Sequence, residues 1–339
     1  MKGFFDDRQW KHDPKHFMAN GAIMPNPEQP RRIEVLKAAA EEAGIGFEAP
    51  GDAGLGPIAA LHSPEYLVFL QNIYTRWRRI DGAGPEVIPN IHPASRNNGY
   101  PKSAVGQAGF HQADTACPIT EGTWEAAYWS AQTAISGADH IAGGGNAYAL
   151  SRPPGHHAFG DLAGGFCFLN NSGIAAERLR TKGMRPAILD VDVHHGNGTQ
   201  GIFYDRDDVL TVSIHADPAR FYPFFWGHAD ERGTGRGLGY NLNLPLPRGT
   251  GDADFLKTLD TALARVRAFG CDALVVALGL DASIDDPFQG LAVTQDGFAR
   301  IGAAIAGMGL PTLFVQEGGY LSDTLGINLT RTLKGYGDA

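Results

Sequence analysis

Stretches of continuous hydrophobic residues alternate with amphipathic stretches from about residue 123 onwards. The continuous stretches predict buried strands, and the amphipathic ones, with apolar residues at helical spacing, predict helices. Near-continuous apolar strands that alternate with helices are typical of a parallel sheet covered by helices on both faces. The predicted strands are 145–152, 187–193, 209–214, 273–280 and 311–316, with an edge strand at 240–247, and the predicted helices are 123–144, 170–183, 254–270 and 297–309.

The N-terminal third of the chain has a less regular pattern. It predicts two helices, at 29–44 and 63–80, in which apolar residues recur at helical spacing. The stretch 81–106 is rich in Pro, Gly and Asn and is long for a loop. Loops of this kind are usually functional or cover an interface, so we expect a loop insert here.

Acids, histidines and a tyrosine follow the carboxyl ends of five predicted strands. In an open parallel sheet, ligands bind beyond this edge. Each of these residues alone is more often a capping or packing residue, but their convergence on one edge favours a functional site. The residues are His156, His157, Asp190, Asp192, His194, His195, Ser213, His215, Asp281, Glu317 and Tyr320.

The segment AILDVDVHHGNGTQ at 187–200 places two carboxylates in a predicted buried strand. Buried carboxylates are unfavourable unless a positive charge compensates them. Along an extended strand, Asp190, Asp192 and His194 share one face. Two residues of this face, Asp192 and His194, form an Asp/His/Asp set together with Asp281 from a neighbouring strand. Three such ligands with an open coordination position are typical of a catalytic divalent metal. Zinc is the first candidate, and iron(II), cobalt and manganese suit the same ligands.

Composition narrows the class of protein. The formal net charge is −9, which argues against a nucleic-acid partner because phosphate binding needs basic patches, and it is compatible with a cationic substrate. No window approaches the ~20 apolar residues of a membrane span, and the charged N-terminal segment is unlike a secretory signal. Cys117, Cys167 and Cys271 lack metal-binding spacing. We therefore expect a cytoplasmic protein that binds neither nucleic acid nor membrane.

Six motifs resemble the histone deacetylase superfamily and, within it, the bacterial acetylpolyamine amidohydrolases, which are class II-like deacetylases. They are RPPGHHA, GGFCFLNN, ILDVDVHHGNGTQ, TVSIHADP, GLD and EGGY, in the family's order, and the likeness covers about residues 20–335. The resemblance implies the arginase-deacetylase fold: one domain over 1–339, built on an eight-stranded parallel sheet with helices on both faces. It also implies an amide hydrolase that removes acetyl groups from acetylated polyamines or related small amines.

The resemblance implies two kinds of metal. One Zn²⁺ per chain would be bound by Asp192, His194 and Asp281, and one or two K⁺ ions would lie nearby. The first potassium site corresponds to Asp190, Asp192, His194, Ser213 and Ile214, and the second, mostly through backbone carbonyls, to Phe203, Arg206, Val209 and Tyr240.

The resemblance also implies the catalytic residues. His157 corresponds to the general base that activates water and then protonates the leaving amine. His156 corresponds to a neighbouring electrostatic catalyst that Asp190 orients. Tyr320 corresponds to the hydroxyl that binds the substrate carbonyl and its oxyanion. Asn197 stands where many eukaryotic members carry Asp and where bacterial members often carry Asn.

Substrate-binding residues follow from the same resemblance. Some polyamine-specific members carry a glutamate at the rim of the substrate tunnel, where this chain has Ala116. Asp114 is the nearest acid and is a candidate for binding the amine tail of the substrate, with a turn or capping acid as the alternative. Phe166 and Tyr222 correspond to the aromatic walls of the tunnel, Phe288 is a further wall candidate, and Gly165 is a further candidate for substrate binding.

Other functions stay open at this point. The substrate is alternatively acetyl-lysine in proteins or another small amide. A non-catalytic metal-binding scaffold is disfavoured, because it needs none of His156, His157 and Tyr320. An arginase-like dimanganese enzyme shares the fold, but only one clear set of ligands is present. In the polyamine enzymes a loop in the region of 81–106 narrows the entrance and builds a dimer, so the resemblance implies a homodimer and a slender substrate.

Overall fold

The computed structural model describes residues 1–97 and 99–339 and contains an eight-stranded sheet in which all neighbouring strands are parallel. The order across the sheet is β4-β1-β5-β10-β9-β6-β7-β8, and β2 and β3 form a separate antiparallel hairpin. The strands are β1 (Lys2–Phe4), β2 (His16–Ala19), β3 (Ala22–Pro25), β4 (Phe47–Glu48), β5 (Ala147–Ala149), β6 (Pro186–Asp190), β7 (Leu210–Ala216), β8 (Asn241–Leu246), β9 (Ala273–Leu278) and β10 (Thr312–Gln316).

The longer helices begin and end at the signals that the sequence provides. Ser63, Asn170 and Thr294 accept hydrogen bonds from backbone N–H groups in the first turns that follow them. Gly270 ends a helix in the left-handed conformation, with φ of +69°. The helices are α1 (Arg31–Glu42), α2 (Gly56–Ala59), α3 (Pro64–Trp77), α4 (Ala104–His111), α5 (Thr123–Ala142), α6 (Asn171–Thr181), α7 (Asn197–Phe203), α8 (Asp252–Phe269), α9 (Gln295–Ala306) and α10 (Leu325–Gly337).

Helices cover both faces of the sheet. Because side chains alternate along a strand, Leu189 packs into a core with helices α1, α8, α9 and α10, whereas Ile188 packs into a core with α5 and α6. A third cluster joins α3, α4 and α5 beside the sheet. The predicted α/β fold with an eight-stranded parallel sheet is therefore confirmed, and the predicted edge strand is β8, at one end of the strand order. None of the helices within the described residues is long and apolar enough to span a bilayer.

The predicted extents of two strands were wrong. β5 covers only Ala147–Ala149, whereas a strand was predicted over 145–152. β6 ends at Asp190, not at residue 193. The side chain of Asp190 accepts a hydrogen bond from the N–H of Asp192 at 3.0 Å, and Asp192 in turn accepts from the N–H of His194 at 2.9 Å. Aspartate side chains that bind the backbone two residues later form turns. The carboxylates therefore end the strand, and the shared face expected for Asp190, Asp192 and His194 does not exist as an extended strand.

The N-terminal third contributes strands that the sequence pattern did not predict. β1 and β4 are two or three residues long and add the outer strands of the sheet next to β5. Segments this short carry too few residues for an alternating pattern to appear. The hairpin and α10 were also not predicted.

The predicted loop insert at 81–106 packs against the rest of the domain. Val87 pairs with Ile119 in an isolated bridge, and Arg96 binds both carboxylate oxygens of Asp161 at 2.9 Å. The segment has no regular structure until α4 begins at Ala104, and Asn98 lies outside the described residues.

Helices α9 and α10 pack at a distance that requires glycine, which makes a stability prediction possible. A Cβ atom on Gly335 would lie 2.1 Å from the carbonyl oxygen of Ala299, whereas one on Gly337 meets nothing within 4 Å. We expect Gly335→Ala to destabilise the protein by about 1–3 kcal/mol through overpacking, and Gly337→Ala to leave stability unchanged or slightly raised. Urea unfolding of both variants tests this, and equal midpoints for Gly335→Ala and the parent would contradict the close packing.

Candidate metal centre and active site

Three predicted ligands meet beyond the carboxyl ends of β6 and β9. The ligand atoms of Asp192, His194 and Asp281 all lie within 4.8 Å of one another, and all three residues are buried. His194 Nδ1 lies 3.2 Å from Asp192 Oδ1 and 3.3 Å from Asp281 Oδ2. Two carboxylate oxygens and one imidazole nitrogen are therefore directed at a common point.

The charges in this cluster are unbalanced. Burial, followed by repulsion from Asp192, raises the pKa of Asp281. Burial lowers the pKa of His194, but the carboxylates of Asp192 and Asp281 reverse this and raise it to about 9. The burial of the carboxylates and their mutual repulsion are both conditions that a divalent cation relieves.

One atom of the cluster has no hydrogen-bond partner. Asp281 Oδ1 accepts from the N–H of Val193 at 3.0 Å, but Asp281 Oδ2 is buried without a donor among the described residues. A buried carboxylate oxygen without a partner is strongly unfavourable unless it binds a cation. The donor set and this orphaned oxygen fit a zinc-type metal with an open coordination position.

Two histidines from the loop after β5 lie next to the metal ligands. The rings of His156 and His157 are 4.0 Å apart. His156 Nδ1 lies 2.9 Å from a carboxylate oxygen of Asp190, and His157 Nδ1 lies 2.7 Å from the amide oxygen of Asn197. The two rings thus have different partners, one charged and one neutral.

The partners and the burial separate the protonation of the two histidines. Burial, followed by repulsion from His156 and His194, lowers the pKa of His157 well below its ordinary value. Burial also lowers the pKa of His156, but the carboxylates of Asp190 and Asp192 reverse this and raise it well above its ordinary value. At neutral pH His157 is therefore a neutral base and His156 is a cation.

A second group of metal-binding residue types lies directly behind this pair. Ligand atoms of His156, Cys167 and Glu317 also lie within 4.8 Å of one another. However, one oxygen of Glu317 accepts from the N–H groups of Gly155 and His156 at 2.6 and 3.0 Å, and the other accepts from the Ser172 hydroxyl at 2.9 Å. Since its oxygens already bind donors, Glu317 holds the histidine loop and is not an open metal ligand.

Tyr320 lies on the turn that follows β10. Burial, followed by repulsion from Asp281, raises the pKa of Tyr320 well above its ordinary value, so its hydroxyl stays protonated and can donate. The guanidinium of Arg32 in α1 donates to the carbonyl oxygens of Glu317 at 2.7 Å and Gly319 at 2.6 Å. Arg32 therefore fixes the backbone on which the tyrosine stands.

Aromatic rings surround the ligand cluster. Tyr222 lies perpendicular to His157, with ring centres 5.0 Å apart, and Phe288 lies 4.8 Å from Tyr320. Phe166 lies 5.8 Å from Tyr320. The sequence comparison did not single out Phe221, whose ring stacks on His194 at 5.1 Å. The three aromatic residues predicted to bind substrate, Phe166, Tyr222 and Phe288, therefore all lie around the candidate site.

Glycine is required at two positions of this site. A Cβ atom on Gly165 would lie 2.4 Å from the ring of His157, and one on Gly318 would lie 2.0 Å from Asp281 Oδ2. These are contacts that a side chain cannot make, so the backbone approaches the histidine and the metal ligand only because the side chain is absent.

Asp114 contacts two of the residues that are predicted to bind substrate. Its carboxylate accepts hydrogen bonds from the Tyr222 hydroxyl at 2.6 Å and from the N–H groups of Gly165 and Ala116 at 3.1 and 2.8 Å. Asp114 is therefore hydrogen-bonded to Tyr222 and Gly165, two of the residues that are predicted to bind substrate.

The residues predicted for the first potassium site are neighbours at the end of the sheet. Asp190 pairs with Ser213 across β6 and β7, directly before Ile214, and Asp192 and His194 follow on the turn. For the second site, Phe203 ends α7, and its carbonyl oxygen accepts from the N–H of Arg206 at 3.0 Å. Val209 immediately precedes β7, and the carbonyl of Tyr240 accepts from the N–H of Thr211 in that strand at 3.0 Å.

Two histidines at the predicted edge point away from the site. His195 packs against His215 with ring centres 4.7 Å apart, and its Nε2 lies 3.2 Å from Asn243. His215 binds Ser213 and the carbonyl oxygen of Gly227. Both rings belong to a buried polar network beside β8.

Some residues that organise the site were missed from the sequence. Arg32 is buried although it lies in a helix whose pattern marks only the apolar face, and Asp286 is buried in a loop. The partners that give these residues their place in the site, the backbone groups of Glu317, Gly319 and Tyr320, lie far away in the chain. The one local signal is a charged residue beside the apolar face of a helix, at Arg32.

Comparison with known proteins identifies the family of this chain. Residues 26–336 match the model of the histone deacetylase domain. The chain is 47% identical over 339 residues to an acetylpolyamine amidohydrolase of Burkholderia pseudomallei (strain 1710b), covering 99% of each chain. It is 42% identical to an acetylpolyamine amidohydrolase of Mycoplana ramosa over 339 residues, again covering 99% of each chain.

A solved structure has the same fold. The crystal structure of acetylpolyamine aminohydrolase from Burkholderia pseudomallei superposes with a TM-score of 0.97 at 47% identity, covering 99% of this chain and 98% of that chain. Since the domain match and the relatives extend over almost the full length, the chain belongs to the histone deacetylase family.

Proposed function

We propose that this protein is a zinc-dependent amidohydrolase that removes acetyl groups from acetylated polyamines or related small amines. The observation that carries the proposal is the convergence of a metal-ligand set, a neutral histidine and a protonated tyrosine within one ring of aromatic side chains. Amide hydrolysis needs an activated water, a polarised carbonyl and a donor for the leaving amine. The names of the relatives support acetylated polyamines as the substrate class.

Asp192, His194 and Asp281 would hold the zinc ion. Bound zinc supplies Lewis acidity, which polarises a carbonyl group and lowers the pKa of water. The same ligands also suit iron(II) or cobalt.

His157 is suited to take a proton from the attacking water. Because Asn197 Oδ1 is an acceptor, His157 Nδ1 must donate to it, and the lone pair of the neutral ring then lies on Nε2. Burial keeps this ring unprotonated at neutral pH. After the C–N bond breaks, the proton that Nε2 accepted passes to the leaving amine, and the water oxygen ends in acetate.

His156 and Tyr320 stabilise developing charge. The imidazolium of His156, held by Asp190, favours negative charge in the transition state. The hydroxyl of Tyr320 donates to the oxyanion. Neither group forms a covalent bond with the substrate.

The surroundings of the site favour a slender substrate with a cationic tail. Aromatic rings of Phe166, Tyr222 and Phe288 enclose the acyl group. The net charge of −9 and the carboxylate of Asp114 favour an ammonium group at the entrance. We propose Asp114 as the acid that attracts the tail.

Further features are proposed on the family likeness. One or two potassium ions would bind at the two sets of carbonyl and carboxylate oxygens described above. The insert at 81–106, with exposed Ile91, would contribute to a homodimer. A cytoplasmic location is compatible with three buried cysteines that form no disulfide.

The metal assignment gives the first functional prediction. We expect the purified protein to hold one equivalent of zinc and the Asp281→Ala variant to lose it. The Glu317→Gln variant, which changes the group formed by His156, Cys167 and Glu317, should keep its zinc. Elemental analysis after dialysis measures this. If Asp281→Ala kept its full zinc content and Glu317→Gln lost it, the metal would instead be assigned to the group formed by His156, Cys167 and Glu317.

A substrate panel tests the activity. The zinc-loaded protein should hydrolyse acetylputrescine, acetylcadaverine and acetylspermidine with higher kcat/KM than an acetyl-lysine peptide. Tyr320→Phe should bind zinc but lose about 10²–10³ in kcat, because one oxyanion donor is removed. A preference for the peptide would favour a protein deacetylase, and a zinc-bound protein that hydrolyses none of these amides would be a scaffold.

Substrate charge is tested at Asp114. An exposed charge pair contributes about 0.2–1 kcal/mol, so Asp114→Asn should raise KM for acetylputrescine a few-fold and leave a neutral acetamide of equal length nearly unchanged. Tyr222→Phe removes the hydrogen bond to Asp114 but keeps the charge, and it is the control. Equal losses on both substrates in Asp114→Asn, matched by Tyr222→Phe, would show that Asp114 only fixes the tunnel wall.

A further inference from the structure

The turn that carries Tyr320 is held on one side by a cation. Arg32 donates to the carbonyl oxygens of Glu317 and Gly319, at 2.7 and 2.6 Å. These bonds fix two carbonyl groups of the turn, but Arg32 makes no hydrogen bond with the N–H of Tyr320. That N–H donates to a different residue, Asp286, at 3.1 Å.

Asp286 is a buried carboxylate that the proposed reaction does not use. It is 3% exposed, and none of the described Lys, Arg or His side chains lies within ion-pair distance of it. Its Oδ1 accepts from the N–H of Phe288 at 2.9 Å, and its Oδ2 accepts from the N–H of Tyr320. A carboxylate buried without a cation is unfavourable, and two backbone hydrogen bonds are the compensation that the structure provides.

The two backbone groups belong to different loops of the site. Phe288 lies on the loop after β9, which also carries the metal ligand Asp281, and Tyr320 lies on the turn after β10. The rings of Phe288 and Tyr320 are 4.8 Å apart and nearly perpendicular, at 76°. One carboxylate therefore fixes the backbone of two rings that face the same space.

We propose that Asp286 is a positioning residue for Tyr320, which sets the distance between the tyrosine hydroxyl and the substrate carbonyl and couples it to the Phe288 wall. The proposal rests on the role of Tyr320 in the proposed function. Arg32 binds the carbonyl groups of the turn and Asp286 binds its N–H, so the turn is held from both sides by buried side chains.

Asp286→Asn separates this role from a role in folding. Asparagine has nearly the same volume, but it presents an NH₂ group to one of the two N–H donors, so one hydrogen bond is lost and replaced by repulsion. The chain offers a matched control in Asp285, the adjacent acid, which is exposed. Asp285→Asn removes the same charge one residue away.

The kinetic experiment compares Asp286→Asn, Asp285→Asn, Tyr320→Phe and the double variant Asp286→Asn/Tyr320→Phe on acetylputrescine. Displacement by about 1 Å can lower a rate by about 10², so we expect Asp286→Asn to lose about 10- to 100-fold in kcat with zinc content and KM near the parent values. Asp285→Asn should match the parent. The double variant should be no slower than Tyr320→Phe alone, because the position of residue 320 no longer affects the rate once its hydroxyl is absent.

Losses that multiply in the double variant, or an Asp286→Asn enzyme with parental kcat, would overturn the proposal.

Amide hydrogen exchange gives a readout that does not depend on activity. In the peptide that contains Tyr320, exchange should become faster in Asp286→Asn and stay unchanged in Asp285→Asn. If the parent hydrolyses none of the amides, the proposed function fails, whereas unchanged exchange in Asp286→Asn refutes the positioning contact itself. If Asp286→Asn does not fold, the same measurements are made on Asp286→Ala, in which water can replace the carboxylate.

Discussion

Asp192 and Asp281 hold two carboxylates on either side of the His194 imidazole in the protein interior, and the architecture of the site follows from the need to stabilise them. Backbone N–H groups supply much of this stabilisation. Asp192 accepts from Gly318 at 2.8 Å and from His194 at 2.9 Å, and Asp281 accepts from Val193 at 3.0 Å. These neutral donors lower the energy of the carboxylates without cancelling their charge, so the remaining negative charge is available to a metal ion.

A second group of buried charges lies behind the Tyr320 turn and has the opposite sign. Glu28 binds Arg32 and Arg152, each at 2.7 Å, and all three are buried. Burial raises the pKa of Glu28, but the guanidinium groups of Arg152 and Arg32 outweigh this and lower it. One acid and two arginines leave a net positive charge, and the spare donors of Arg32 bind the carbonyl oxygens of the turn. Buried charges thus meet at this turn from both sides.

The sequence allowed the class of fold and most of the site residues to be predicted, because continuous apolar strands and the acids and histidines that follow them are local features. The boundaries of β6 were not predictable in this way, since the Asp190 and Asp192 side chains end the strand by binding the backbone. The short strands β1 and β4 carry no pattern of their own. Arg32 and Asp286 were missed because their partners, Glu317 to Tyr320, are distant in sequence.

The same long-range contacts link the loops of the site to one another. Each carboxylate of the centre accepts an N–H from a loop other than its own. Asp192 after β6 binds Gly318 after β10, Asp281 after β9 binds Val193 after β6, and Glu317 after β10 binds the histidine loop after β5. The loops after β5, β6, β9 and β10 are therefore linked to one another above the edge of the sheet, in one case across the intervening strand β9, by hydrogen bonds to buried carboxylates. Such bonds are about twice as strong as neutral ones, so the fold itself holds the side chains of the candidate site in place, which is the preorganisation that the proposed electrostatic catalysis requires.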